Sequence, residues 1–211
     1  MRQTSKRLSG IRMFSMGAGI LLAAFWLALV AGCHEGLPGG SYEDYIGAKH
    51  PAVGTKLDVV RLQPLTPGAE PVSAADIEGK VTLMNLWGPW CGYCEVEFPH
   101  LVDMVKHFET NDDFRFLSVS VPASPSEDAS LAAETEDFLK RYKANFPAYT
   151  DNDAVTRRHL VEATKIGADG FGYPTTLVLG RDGKIRGMWV GYVGGWEKQM
   201  RRVVEAALAE K

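Results

Sequence analysis

Three cysteines in 211 residues exclude several kinds of protein. They cannot build the disulfide framework that staples small secreted domains. No second cysteine pair accompanies Cys91 and Cys94, and neither His100 nor His107 stands at a ligand spacing from them. A zinc site is therefore not expected, and the metal reading is none. Runs of Lys or Arg are also absent, and the formal net charge is −3, which argues against nucleic acid. No internal repeat or low-complexity block interrupts the chain. The Pro-x-x-x-Thr-x-x-Cys pattern of a peroxidatic cysteine does not occur, so a peroxidase is disfavoured. Long apolar stretches are confined to residues 13–32.

That stretch has a telling order. Residues 1–12 carry Arg2, Lys6, Arg7 and Arg12 and no acid, and the apolar run ends in Leu29-Val30-Ala31-Gly32-Cys33. A charged n-region, an apolar h-region and a small-residue cleavage site make an export signal. Val30-Ala31-Gly32-Cys33 also resembles the lipobox of bacterial lipoproteins. The resemblance implies that Cys33 becomes the lipidated first residue of the mature chain. The alternative is an uncleaved anchor, since roughly twenty apolar residues span a bilayer. Both readings place the remainder on the periplasmic, extracytoplasmic side, tethered to a membrane. Residues 1–32 are read as the signal peptide. Residues 33–52 are rich in Gly and Pro and are read as a flexible tether. Residues 53–211 are read as one domain.

Within that domain, Val53–Leu65 alternates loosely and predicts an N-terminal strand or hairpin. Val81–Trp87 and Phe114–Val121 read as buried central strands. A helix is expected from about Cys91 to Thr110, with Phe98, Leu101, Val105 and Phe108 on one face and a kink at Pro99. Leu131–Tyr142 and Ala154–Ala163 read as further helices, the second capped by Asn152 or Asp153. Leu177–Leu179 and Ile185–Tyr192 are strands joined by a turn at Arg181-Asp182-Gly183-Lys184. A last helix starts near Trp196. Strands separated by helices, closing with an antiparallel hairpin and a helix, indicate an α/β fold with a mixed sheet covered on both faces.

The chemistry concentrates in Trp87-Gly88-Pro89-Trp90-Cys91-Gly92-Tyr93-Cys94, where a strand ends and a helix begins. A thiol at a helix N-terminus loses its proton easily, because the positive end of the helix dipole favours the anion. The thiolate, unlike the thiol, attacks disulfides. Cys91 is thus the expected nucleophile, the more exposed of the two, and Cys94, one turn deeper, its resolving partner. A purely structural disulfide is disfavoured, since stabilisation grows with loop length and this loop is minimal. Glu97 lies three residues after Cys94 and should share its face of the helix. A partly buried carboxylate there could hold or pass the proton of Cys94.

The ordered motifs resemble the TlpA/ResA-like membrane-tethered branch of the thioredoxin superfamily, over roughly residues 53–210. Asn85-Leu86-Trp87 leads into Trp90-Cys91 as in that branch. Cys94-Glu95-Val96-Glu97-Phe98-Pro99 matches its pattern of Cys, two residues, Glu, one residue, Pro. Gly172-Tyr173-Pro174-Thr175-Thr176 matches its cis-proline segment. The resemblance implies a thioredoxin-like fold and thiol–disulfide exchange with exported protein thiols or disulfides, apocytochrome c being one client by analogy. It implies a membrane redox donor as partner and no cofactor beyond the Cys91–Cys94 disulfide. It implies a cis bond before Pro174, with the backbone of Tyr173 as an edge for substrate, and a shielding or packing role for Trp90. One departure stands out. Tyr93 replaces the family's usual Pro, and Gly92-Tyr93 resembles the pair between the cysteines of some bacterial disulfide isomerases. Disulfide isomerisation or oxidation therefore stays open beside reduction, as does a non-catalytic copper-delivering lipoprotein.

Overall fold

The computed structural model describes residues 46–124, 128–166 and 171–210. The expected signal peptide, the lipidation residue Cys33 and most of the tether lie outside the described residues. Seven strands form one mixed sheet: β1 (Arg61–Pro64), β2 (Val72–Ser73), β3 (Val81–Trp87), β4 (Phe114–Ser120), β5 (Ala148–Thr150), β6 (Thr175–Leu179) and β7 (Ile185–Val190). Their spatial order is β2-β1-β5-β4-β3-β6-β7. The helices among the described residues are α1 (Ala74–Ile77), α2 (Gly92–Phe108), α3 (Leu131–Arg141), α4 (Val155–Thr164) and α5 (Trp196–Ala209).

Every residue of β3 is buried, because this strand is central and covered on both faces. Its side chains alternate accordingly. Met84 and Leu86 join a core with Ile77 of α1 and Leu160 of α4. Val81 and Leu83 join another with Leu101 and Met104 of α2 and Met200 and Val204 of α5. Trp87 continues that second face and packs with Phe98 of α2 and Phe138 of α3. Burying each such side chain contributes about 1.5–3 kcal/mol. The architecture is the α/β, thioredoxin-like fold expected, with an antiparallel β1–β2 extension at one end of the sheet.

β3, β4 and β5 run parallel. β6 returns antiparallel to β3, and β7 antiparallel to β6. The β6–β7 turn falls where Asp182-Gly183 placed it. Gly183 has φ +72°, a left-handed value that glycine adopts without a Cβ penalty.

Three local expectations are corrected. Residues 53–60 do not form the start of β1. Residues 47–56 instead follow the β7 edge through two isolated bridges, Gly47 opposite Met188 and Lys56 opposite Lys184, the residue just before β7. Residues 46–52, read as tether, therefore end packed on the sheet, with Ala52 and His50 buried. Covering an edge strand in this way hides its unpaired backbone groups. Second, the structure adds β5, which is too short to carry a periodic signal and directly follows Pro147. Third, α4 is capped mainly by Asp151: its Oδ1 accepts from Thr156 N at 3.0 Å and its Oδ2 from Arg157 N at 2.9 Å. Asp153 contributes one bond, to Val155 N at 3.2 Å. Ala154 has φ +55°, and that bend turns the chain so that the earlier carboxylate reaches the helix end.

Candidate active site

The site forms where β3 runs out. Gly88-Pro89-Trp90 turns the chain, and Cys91 becomes the N-cap of α2. Cys91 and Cys94 are joined as a disulfide with Cα atoms 5.2 Å apart. The Sγ of Cys91 accepts a hydrogen bond from Cys94 N at 3.2 Å, and its carbonyl takes Glu95 N at 3.2 Å. The first sulfur thus occupies the place of a capping oxygen, among the donor groups that the helix leaves unpaired. Cys91 is 6% exposed and Cys94 1%. The expected ranking holds, yet Cys91 is not an open thiol. Both sulfurs belong to an aromatic cluster with Trp87, Phe98 and Phe138. Ring centroids in that cluster lie 4.6–4.9 Å apart. Trp87 is core, and its indole N–H is satisfied by Ser118 Oγ at 2.8 Å.

Around the buried pair the surface is apolar. Trp90 is 44% exposed, Tyr93 69% and Val96 57%. Trp90 is nevertheless held: its indole N–H donates to the Val121 carbonyl at 2.9 Å, and its ring meets Tyr173 edge-on at 5.5 Å. Gly88 makes this possible, since a Cβ there would lie 2.3 Å from the Trp90 indole nitrogen and 2.8 Å from the Val121 carbonyl oxygen. Gly92, in the first turn of α2, has open space where its side chain would be. The Tyr173–Pro174 peptide is cis. The Pro174 carbonyl accepts from Gly191 N at 2.7 Å.

One turn along α2 from Cys94 lies a polar triad that the strand register builds. Asn85 on β3 stands directly opposite Thr176 on β6. Directly opposed side chains of an antiparallel pair share one face of the sheet. Glu97 of α2 descends onto them. Its Oε2 accepts from Asn85 Nδ2 at 2.8 Å and its Oε1 from Thr176 Oγ1 at 3.0 Å. The Thr176 hydroxyl in turn accepts from Asn85 at 2.9 Å. Glu97 is 1% exposed. Burial pushes its pKa up to about 7, although both hydrogen bonds pull the other way by favouring the carboxylate. Cys94 and Glu97 both point inward from successive turns of α2. Near neutral pH this acid can either give or take a proton. No group of three or more His, Cys, Asp or Glu side chains that could hold a metal occurs among the described residues.

A family model described as AhpC/TSA family matches residues 49–188. The chain belongs to the AhpC/TSA family. Its relatives include the thiol-disulfide oxidoreductase ResA of Bacillus subtilis, 29% identical over 114 residues, which span 54% of this chain and 55% of that protein. The thiol:disulfide interchange protein HelX of Rhodobacter capsulatus is 35% identical over 83 residues, 38% of this chain and 43% of that one. The chain thus spans about half the length of the curated relatives it matches. Among solved structures, a thiol:disulfide interchange protein of the thioredoxin family from Chlorobium tepidum superposes with TM-score 0.55 at 22% identity, covering 74% of this chain and 97% of that one. The resemblance to the ResA-like, thioredoxin-fold branch is borne out by these matches.

In this AhpC/TSA-family chain the structure gathers Trp90, Cys91, Cys94, Tyr173 and Pro174 at one end of the sheet and buries Glu97 one helical turn after Cys94. Tyr93 points away into solvent. Three participants are not evident from residue order. Thr176 lies in the proline segment, and its tie to Glu97 arises only through the β3–β6 register. Asp151 and Arg157 were unread, although the acidic cluster Asp151-Asn152-Asp153 before a helix is a capping signal.

Proposed function

We propose that this protein is an extracytoplasmic thiol–disulfide oxidoreductase that reduces disulfides of exported proteins. The observation that carries the reading is the Cys91–Cys94 bond at the N-terminus of α2, rimmed by exposed apolar side chains and backed by a buried acid that titrates near neutrality. In the reduced protein the Cys91 thiolate attacks one sulfur of a client disulfide. A mixed disulfide forms, and the other client sulfur leaves as a thiolate. Cys94 then loses its proton to Glu97 and attacks the Cys91 sulfur. The second client thiolate departs, and the Cys91–Cys94 disulfide remains. Two electrons have passed to the client. A membrane-bound dithiol donor returns them by the same exchange in reverse. No cofactor is required, because the two thiols carry the whole reaction.

Trp90, Tyr93 and Val96 provide the apolar surface on which a client settles, and the backbone beside Tyr173 lines up with the client chain. Residues 1–32 direct export, and a lipid on Cys33, or an uncleaved anchor, keeps the domain at the membrane. Apocytochrome c or a similar exported thiol protein fits the role of client. The test is the pair of cysteine variants expressed as the full chain in cells. Cys94→Ser is expected to accumulate mixed disulfides with clients that disappear on reduction, whereas Cys91→Ser forms none. Adducts in the Cys91→Ser variant, or their absence in both, would overturn the assignment. Tight Cu(I) binding without any disulfide exchange would point to a copper carrier in its place.

A further inference from the structure

One contact network outside the sulfur site reaches into it. Asp151 follows β5 and is buried, with its side chain fully inaccessible. Arg157 of α4 stands over it. The Arg157 Nε donates to Asp151 Oδ2 at 3.2 Å, and its Nη2 donates to the Asp151 carbonyl at 3.2 Å. The remaining arm, Nη1, donates to the Tyr173 hydroxyl at 2.8 Å. All three guanidinium nitrogens are therefore engaged in a planar fork, a geometry that a lysine ammonium cannot reproduce. Tyr173 is the residue before the cis bond, and its ring touches Trp90 on one side and Phe171 on the other, both edge-on. Beside the ring opens a hollow of about 360 Å³, lined in part by Ala154, Val161 and Phe171.

We propose that Arg157 is a positioning residue for the client-binding edge. Anchored by the buried Asp151, it pins the Tyr173 phenol and thereby sets the Tyr173 backbone and the Trp90 ring beside Cys91. Neither arginine nor aspartate touches the sulfurs, so their effect falls on how a client docks. The inference rests on the oxidoreductase reading given above.

The test uses the full chain and two probes, insulin as a protein disulfide and hydroxyethyl disulfide as a small one. Arg157→Met and Tyr173→Phe are each expected to raise KM for insulin about fivefold to tenfold. Arg157→Lys behaves like Arg157→Met, because the charge alone does not reproduce the fork. The double variant Arg157→Met/Tyr173→Phe raises KM no further than either single change, the signature of two groups acting through one contact. The loss with hydroxyethyl disulfide is smaller than with insulin. Multiplicative KM effects in the double variant would overturn the proposal, as would equal losses with both probes. Should Arg157→Met fail to fold, Tyr173→Phe still decides: it keeps the Arg157–Asp151 pair, and an unchanged KM for insulin contradicts the proposal. Wild-type protein that exchanges with neither probe would instead remove the oxidoreductase reading itself.

Discussion

Glu97 shows how one residue answers to its surroundings. In the unfolded chain its carboxyl ionises near the ordinary value of 4.5; in the fold, burial raises this to about 7. The folded protein therefore binds this proton more tightly than the unfolded chain does. Stability from this source is complete below pH 4.5, declines as pH rises toward 7, and is flat above it. The difference amounts to about 3 kcal/mol at about 1.4 kcal/mol per pKa unit. Glu97→Gln keeps the shape and removes the titration. Urea midpoints measured at pH 5 and pH 8 are expected to fall with rising pH in the wild type and to differ much less in Glu97→Gln. The same substitution should slow the step in which Cys94 resolves the mixed disulfide, since the proton acceptor is gone. Equal pH dependence in the two proteins would show that Glu97 does not titrate in this range.

Among the elements, those with strong periodicity were legible and those fixed by long-range pairing were not. β3 is a compact, mostly apolar run, β4 carries Phe114, Phe116, Leu117 and Val119 close together, and α2 carries Phe98, Leu101 and Phe108 at helical spacing, so each could be read from residue order alone. Even there Met104, not Val105, completes the buried stripe. The Cys91–Cys94 pair and Glu97 were legible because they share one helix. The triad of Glu97 with Asn85 and Thr176 was not, because residues 79 and 91 positions apart meet only through the β3–β6 register. α4 is the clearest case of a missed link. Asn152 and Asp153 stood nearer the helix start, but the left-handed turn at Ala154 brings Asp151 under its first N–H groups. Asp151→Ala removes a cap and leaves Arg157 without its anion. A loss of about 2–4 kcal/mol is expected. It would appear as a lower urea midpoint with an unchanged slope. A midpoint within error of the wild type would mean that α4 is held by packing alone.

At the scale of the molecule, the sheet acts as a frame that brings three chain segments to one end. β3 delivers the cysteine turn, the approach to β6 delivers Tyr173 and Pro174, and the end of β4 delivers the Val121 carbonyl that fixes Trp90. The fold then buries the sulfurs while leaving Trp90, Tyr93 and Val96 exposed. Exchange depends on Cys91 being an anion at working pH, stabilised by its seat at the start of α2. Alkylation of the reduced protein by iodoacetamide, followed across pH with Cys94 replaced by Ser, measures this directly. The account predicts that the Cys91 labelling rate rises to half its plateau at least one unit below the ~8.5 of an ordinary cysteine. A rise centred at the ordinary value would contradict it.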